Sequence, residues 1–129
     1  ITAEVAGWMG IPPLIEESVK THTALRQRGV RHLIGGDYGF AWSQQGQQAR
    51  DLQHFIKYYG YSPAEALICA TRNGGQAMMG DGSLGTIEAG KLADMILVDG
   101  DVLADISILT DTARIAMIMK DGALHKSPA

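Results

Sequence analysis

Val30-Arg31-His32-Leu33-Ile34-Gly35-Gly36-Asp37 is an apolar run closed by two glycines and a carboxylate. Read as a strand, it places Asp37 at the carboxyl end, where parallel α/β enzymes carry their reactive groups. The residues before it predict a helix over 14–28, with Glu16 and Glu17 early, Arg26 and Arg28 late, and Gly29 as its stop. Helix and strand then follow without a spacer, the coupling that an α/β barrel or doubly wound sheet produces. After Asp37 comes an aromatic loop, Tyr38-Gly39-Phe40-Ala41-Trp42.

Working outward, residues 1–13 read as loop, with Gly10 and the Pro12-Pro13 pair breaking regular structure. Beyond the aromatic loop, Leu52, Phe55, Ile56 and Tyr59 recur at helical spacing and predict a helix over 47–59 with one buried face. Ser62-Pro63-Ala64-Glu65 is a helix start: serine N-cap, proline in the first turn, glutamate closing a capping box. That helix is expected to stop at Gly74-Gly75, with a short helical turn over 76–79. From Gly80 the pattern changes to short strands, 95–98 and 115–119, and Asp121-Gly122 suits a two-residue hairpin turn returning through 123–126. The expected division is therefore residues 1–79 as an α/β part and 80–129 as a β part.

Composition narrows the function classes. A hydrophobic content of 46% with 19% charged residues is globular, and a net charge of −3 disfavours nucleic acid or an anionic membrane as partner. A single cysteine excludes an internal disulfide and a thiolate-rich zinc site; a reducing, cytoplasmic location fits. At 129 residues the chain cannot hold a whole (β/α)8 barrel, which takes about 250. It opens with Ile1, and the expectation is a sequence that starts inside a longer reading frame, processing being the other explanation.

Among candidate site residues, Asp37 stands first, although an aspartate after a strand caps a following turn about as often as it serves chemistry. Gly35 and Gly36 lean toward chemistry, because glycine beside a carboxylate lets a ligand or another backbone approach. His32 is five residues away and alternates to the opposite face, so it makes a poor co-ligand. The histidines at 22, 32, 54 and 125 match no zinc-site spacing, and surface or packing roles are expected for all four. Tyr38, Phe40 and Trp42 could equally wall an apolar pocket or cover the end of the fold. Gly80-Asp81-Gly82-Ser83-Leu84-Gly85 matches the dinucleotide fingerprint by letter, but it follows a helix and leads to a strand, so a plain turn is expected rather than a nucleotide-binding module.

The stretch Leu84-Gly85-Thr86-Ile87-Glu88-Ala89-Gly90-Lys91-Leu92-Ala93-Asp94, continued by Asp99-Gly100-Asp101 and joined to the Asp37 strand through Ser62-Pro63-Ala64-Glu65-Ala66-Leu67, resembles the amidohydrolase superfamily in its imidazolonepropionase-like and prolidase-like branch. The resemblance covers residues 30–122 and implies the last units of a (β/α)8 metal-dependent hydrolase barrel followed by a small β-sandwich portion, incomplete as a single chain. It implies a metal-dependent amidohydrolase that cleaves C–N bonds in an amide, cyclic amide or peptide-like substrate. Asp37 would be the strand-eight aspartate, a metal ligand and the acceptor of the water proton. Tyr38, Phe40, Trp42 and Gln45 would form the substrate rim, with Gln45-Gly46 standing where related sequences carry His-Gly. The cofactor implied is a divalent metal, zinc, bound by the complete enzyme. The family's paired histidines and later ligands have no counterpart here, so the resemblance implies a chain inactive by itself, whether or not it binds a metal alone. The alternative is a non-catalytic fragment that folds by self-association, as a homo-oligomer, or by complementing another chain or a missing N-terminal portion, because the strands around Met95 and Met117 would expose unpaired edges.

Overall fold

A computed structural model describes residues 4, 7 and 10–128. The loop expected over 1–13 lies largely outside the described residues, and where it overlaps them it is corrected. Helix α1 runs Ile11–Gln27, with Pro12 and Pro13 inside its first turn and Gly10 in the left-handed region before it. Proline does no harm there, because the first-turn amides have no intrahelical acceptor to lose. No α1 side chain is buried. The helix is held by polar contacts: Ser18 Oγ lies 3.0 Å from Tyr59 Oη, and Arg26 donates to Gly60 O at 2.9 Å and pairs with Glu65.

The stretch from Val30 to Gly36 has no regular secondary structure and belongs to no sheet, which corrects the expected strand. A strand exists through its ladder, and no neighbour runs beside this segment among the described residues. Its polar groups are met piecemeal instead. Asn73 Nδ2 donates to His32 O at 2.6 Å, and Arg31 reaches Gln76. His32 does turn toward the helices, where its ring meets His22 and bonds Tyr61.

Helix α2, Arg50–Tyr59, starts three residues later than the spacing suggests, after turns over 47–49, and Gly60 ends it at φ 68°. It buries Leu52 and Phe55. Helix α3, Pro63–Ile68, opens on the full capping box, Ser62 accepting from Glu65 N while the Glu65 carboxylate accepts from Ser62 N at 2.8 Å. It continues through a π-helical stretch, Cys69–Asn73, into α4, Gly74–Met79. Gly74-Gly75 therefore does not stop the helix. The pair serves close approach, since a Cβ on Gly75 would lie 2.7 Å from Leu84 C and 2.8 Å from Gly85 Cα. The fingerprint-like glycine loop is a series of bends leading to a strand.

The Glu65 carboxyl group is held down to about 2 by the Ser62 amide, then by the Ser62 hydroxyl and Arg26. A carboxylate whose folded pKa lies below its unfolded value near 4.5 stabilises the fold fully above that value and loses the contribution as pH falls toward 2. Its side chain is 45% exposed, so solvent screening reduces the effect to about 1 kcal/mol or less. Glu65→Gln keeps a capping group but no charge. Melting temperatures of the two proteins should differ at pH 6 and converge between pH 4.5 and 2.

Three antiparallel strands form one sheet in the order β1 (Met95–Val98), β2 (Ile115–Lys120), β3 (Ala123–Lys126). Asp121 at φ 48° and Gly122 at φ 77° make the tight primed turn between β2 and β3. Leu52, Phe55, Tyr61, Ala66, Cys69 and Ile106 make the buried core, Ile106 bringing the 3-10 stretch Ile106–Thr110 onto the helices. Between helices and sheet lies an open trough of about 940 Å³ walled by Leu52, Leu67, Met95, Val98, Ile115 and Met119. The chain exposes 8768 Å². A compact protein of 13.8 kDa exposes roughly 6,600 Å² by the usual size scaling.

Candidate functional site

Asp37 follows that irregular segment and lines a pocket of about 210 Å³ with Gly36, Tyr38, Trp42, Ser43, Gln47, Arg50, Asp51 and His54. Residue Asp37 is exposed, and among the described residues no hydrogen bond or ion pair holds its carboxylate. Its backbone is fixed instead: Ser43 Oγ donates to Asp37 O at 2.8 Å. A tight turn carries Ser43 there, closed by Gly39 N donating to Ser43 O at 2.7 Å and by a bridge between Phe40 and Ser43. Gly39 takes φ 119°, which the turn needs and a side chain would resist.

The expected rim divides. Tyr38 and Trp42 line the pocket with Asp37. Phe40 does not; it stacks on Trp42, ring centroids 5.3 Å apart and nearly parallel. Gln45 turns along the loop to accept from Gln48 Nε2 at 2.7 Å. Sequence reading missed five further lining residues: Ser43 and Gln47 from the loop, and Arg50, Asp51 and His54 from the first turns of α2. Asp51 Oδ1 accepts from Tyr38 Oη at 2.8 Å and lies 3.5 Å from His54 Nδ1. Burial, then the Asp51 carboxylate, push the Tyr38 phenol up to about 12, so it stays a neutral donor. No local pattern marks the α2 residues: Asp51 and His54 stand at i and i+3 on one helix, as surface pairs commonly do.

Such a pocket offers a free carboxylate, a fixed phenol and an imidazole backed by a carboxylate, under an indole wall. Proton transfer beside a small polar substrate is the chemistry these groups suit.

Comparison with known proteins shows the family. The family model described as "Amidohydrolase family" matches residues 6–124. The chain belongs to the amidohydrolase family. It is similar to ochratoxinase from Aspergillus niger, 26% identical over 122 residues, which is 94% of this chain and 25% of the ochratoxinase. The crystal structure of that ochratoxinase superposes with a TM-score of 0.83 at 25% identity, covering all of this chain and 29% of the other. A Xaa-Pro dipeptidase solved with methionine in its active site superposes with a TM-score of 0.70 at 29% identity, covering 84% of this chain and 25% of that one. The chain thus spans about a quarter of the length of these relatives.

Amidohydrolases generally bind divalent metals. Such an ion needs several converging oxygen or nitrogen donors. Among the described residues no three His, Cys, Asp or Glu side chains converge on one point. The residues present therefore do not fit a metal by themselves. Among the described residues no helix is long and apolar enough to cross a membrane.

Proposed function

We propose that this chain is the C-terminal part of an enzyme that hydrolyses the C–N bond of an amide, cyclic amide or peptide-like substrate, with Asp37 as its reacting carboxylate. The observation that carries the reading is a carboxylate left free at the mouth of a pocket, in a chain whose relatives include an ochratoxinase and a Xaa-Pro dipeptidase. Asp37 takes a proton from the water that attacks the carbonyl carbon, and returns it to the nitrogen as the C–N bond breaks. Trp42, with Phe40 stacked behind it, supplies an apolar wall, and the Tyr38 ring lines the pocket while its hydroxyl is committed to Asp51. Gln45 belongs to the outer rim. Family membership is what points to Asp37 as a ligand of a divalent ion, and to zinc as that ion, in a centre completed by residues from elsewhere.

In this reading residues 1–79 are the closing units of a (β/α)8 barrel, Val30 to Asp37 becomes its eighth strand once neighbours flank it, and residues 80–129 belong to the β-sandwich. The excess exposed surface and the apolar trough support assembly with further polypeptide, either an N-terminal portion of the same kind of enzyme or another copy. They equally favour the second reading, a fragment that is catalytically silent until complemented. A cytoplasmic location completes the proposal.

Amine release from N-acyl amino acids and Xaa-Pro dipeptides, followed for the protein that carries this segment and for the 129-residue chain alone, tests both. Hydrolysis by the first and not the second is expected. Amide substrates left intact by both, with esters cleaved, would overturn the assignment of bond type.

A further inference from the structure

Asp51 reaches the Asp37 loop from the neighbouring helix. Its carboxylate lies over Gly36, where a Cβ would overlap both Asp51 Oδ2 and the ring of Tyr38. Gly36 is thus bare because two side chains already fill the space. From there Asp51 Oδ1 accepts the Tyr38 hydroxyl at 2.8 Å, with Gln47 O a longer second acceptor at 3.3 Å. The residues on either side of Asp37 are in this way pinned to α2: Gly36 by contact, Tyr38 by a hydrogen bond. Asp37 itself has no such restraint on its side chain, so its aim depends on the backbone that carries it. The Asp51 side chain is 17% exposed, which shields the bond to Tyr38 from competing water.

We propose that Asp51 is a positioning residue for the reaction assigned above: together with Tyr38 it clamps the Gly36–Tyr38 backbone and so sets the direction of the Asp37 carboxylate. This rests on the reading of Asp37 as the reacting group. The rival role for Asp51 is a plain first-turn acid favouring the helix dipole, which would involve neither Tyr38 nor turnover.

Two readouts separate these. The chain has four tyrosines, and absorbance between pH 9 and 11.5 counts those that ionise. The difference between each chain and its Tyr38→Phe counterpart identifies the Tyr38 step; in the wild-type background that step lies at about 12, and in Asp51→Ala it moves down by the Asp51 share of the shift while burial keeps it above an ordinary phenol. In the protein carrying this segment, Asp51→Ala and Tyr38→Phe each lower kcat about tenfold or more with KM little changed, as misplacement of a reacting group does. The double variant is no slower than either single one, and Asp51→Asn, whose amide oxygen still accepts from Tyr38, recovers most of the rate. A Tyr38 step that stays put in Asp51→Ala would show that the clamp does not exist. A step that moves while kcat holds would show that it does not aim Asp37. Wild-type turnover in Asp37→Asn would instead reject the catalytic carboxylate and leave the tyrosine result standing. Melting curves of Tyr38→Phe and Asp51→Asn guard against simple unfolding.

Discussion

Asp37→Asn lowers the turnover of an amide substrate about 10²–10⁴-fold in the protein that carries this segment, the range that a general base contributes. Asparagine matches the volume of aspartate and can still accept a hydrogen bond, but it cannot take up a proton from attacking water. KM should therefore change little while kcat falls, the signature of an interaction made only in the transition state. Stability should hold within about 0.5 kcal/mol, because the exposed carboxylate has no bond to lose among the described residues. Steady-state kinetics with a melting curve as control decide the matter. Near-normal turnover would remove Asp37 from the chemistry and with it the proposed mechanism.

Gly85→Val removes a large share of the folding stability. Gly85 sits at φ 94°, and a Cβ there would lie 2.6 Å from Thr71 O and 2.9 Å from Arg72 Cα. Both neighbours are backbone atoms of the helical run and cannot rotate aside. Gly75 faces the same loop from within that run, so the two segments meet main chain to main chain. A branched side chain adds overpacking to left-handed strain, about 2–5 kcal/mol together. That is a large fraction of the stability of a small domain. Gly82→Ala is the comparison: Gly82 also has a positive φ, 78°, but open space around it, so strain alone applies and costs about 1–2 kcal/mol. Urea midpoints read by circular dichroism should place Gly82→Ala between wild type and Gly85→Val. A Gly85→Val midpoint equal to wild type would mean that the loop does not rest on the helix.

What could be read from sequence was whatever a few neighbouring residues decide among themselves. The Ser62–Glu65 box, the Asp121-Gly122 turn and the strands on either side of it are local, and they fold as their spacing says. Val30 to Gly36 fails for the opposite reason. Its alternation and apolar character describe a strand, but pairing depends on partners elsewhere in space, and among the described residues none flanks it. Gly74-Gly75 misleads differently: glycine at a helix end and glycine under a crossing backbone are the same letter, and only the position of Leu84 and Gly85 separates them. At the site, Asp37, Tyr38 and Trp42 were accessible because they share one loop. Asp51 was not. Fourteen residues on, it reads as an ordinary first-turn acid until Tyr38 is seen to reach it.

The trough has a physical consequence of its own. Its wall of leucine, methionine, valine and isoleucine side chains faces water, and each 100 Å² of such wall that dries contributes roughly 2.5 kcal/mol. Any hydrocarbon surface that fits the hollow gains from that reservoir without a single specific bond. Sulfate or mild warming enlarges the gain, and urea or chilling diminishes it. Handling the polypeptide is thus a matter of solvent as much as of sequence: the drive to cover the hollow is weakest in cold, low-salt buffer and strongest at room temperature in a salting-out medium.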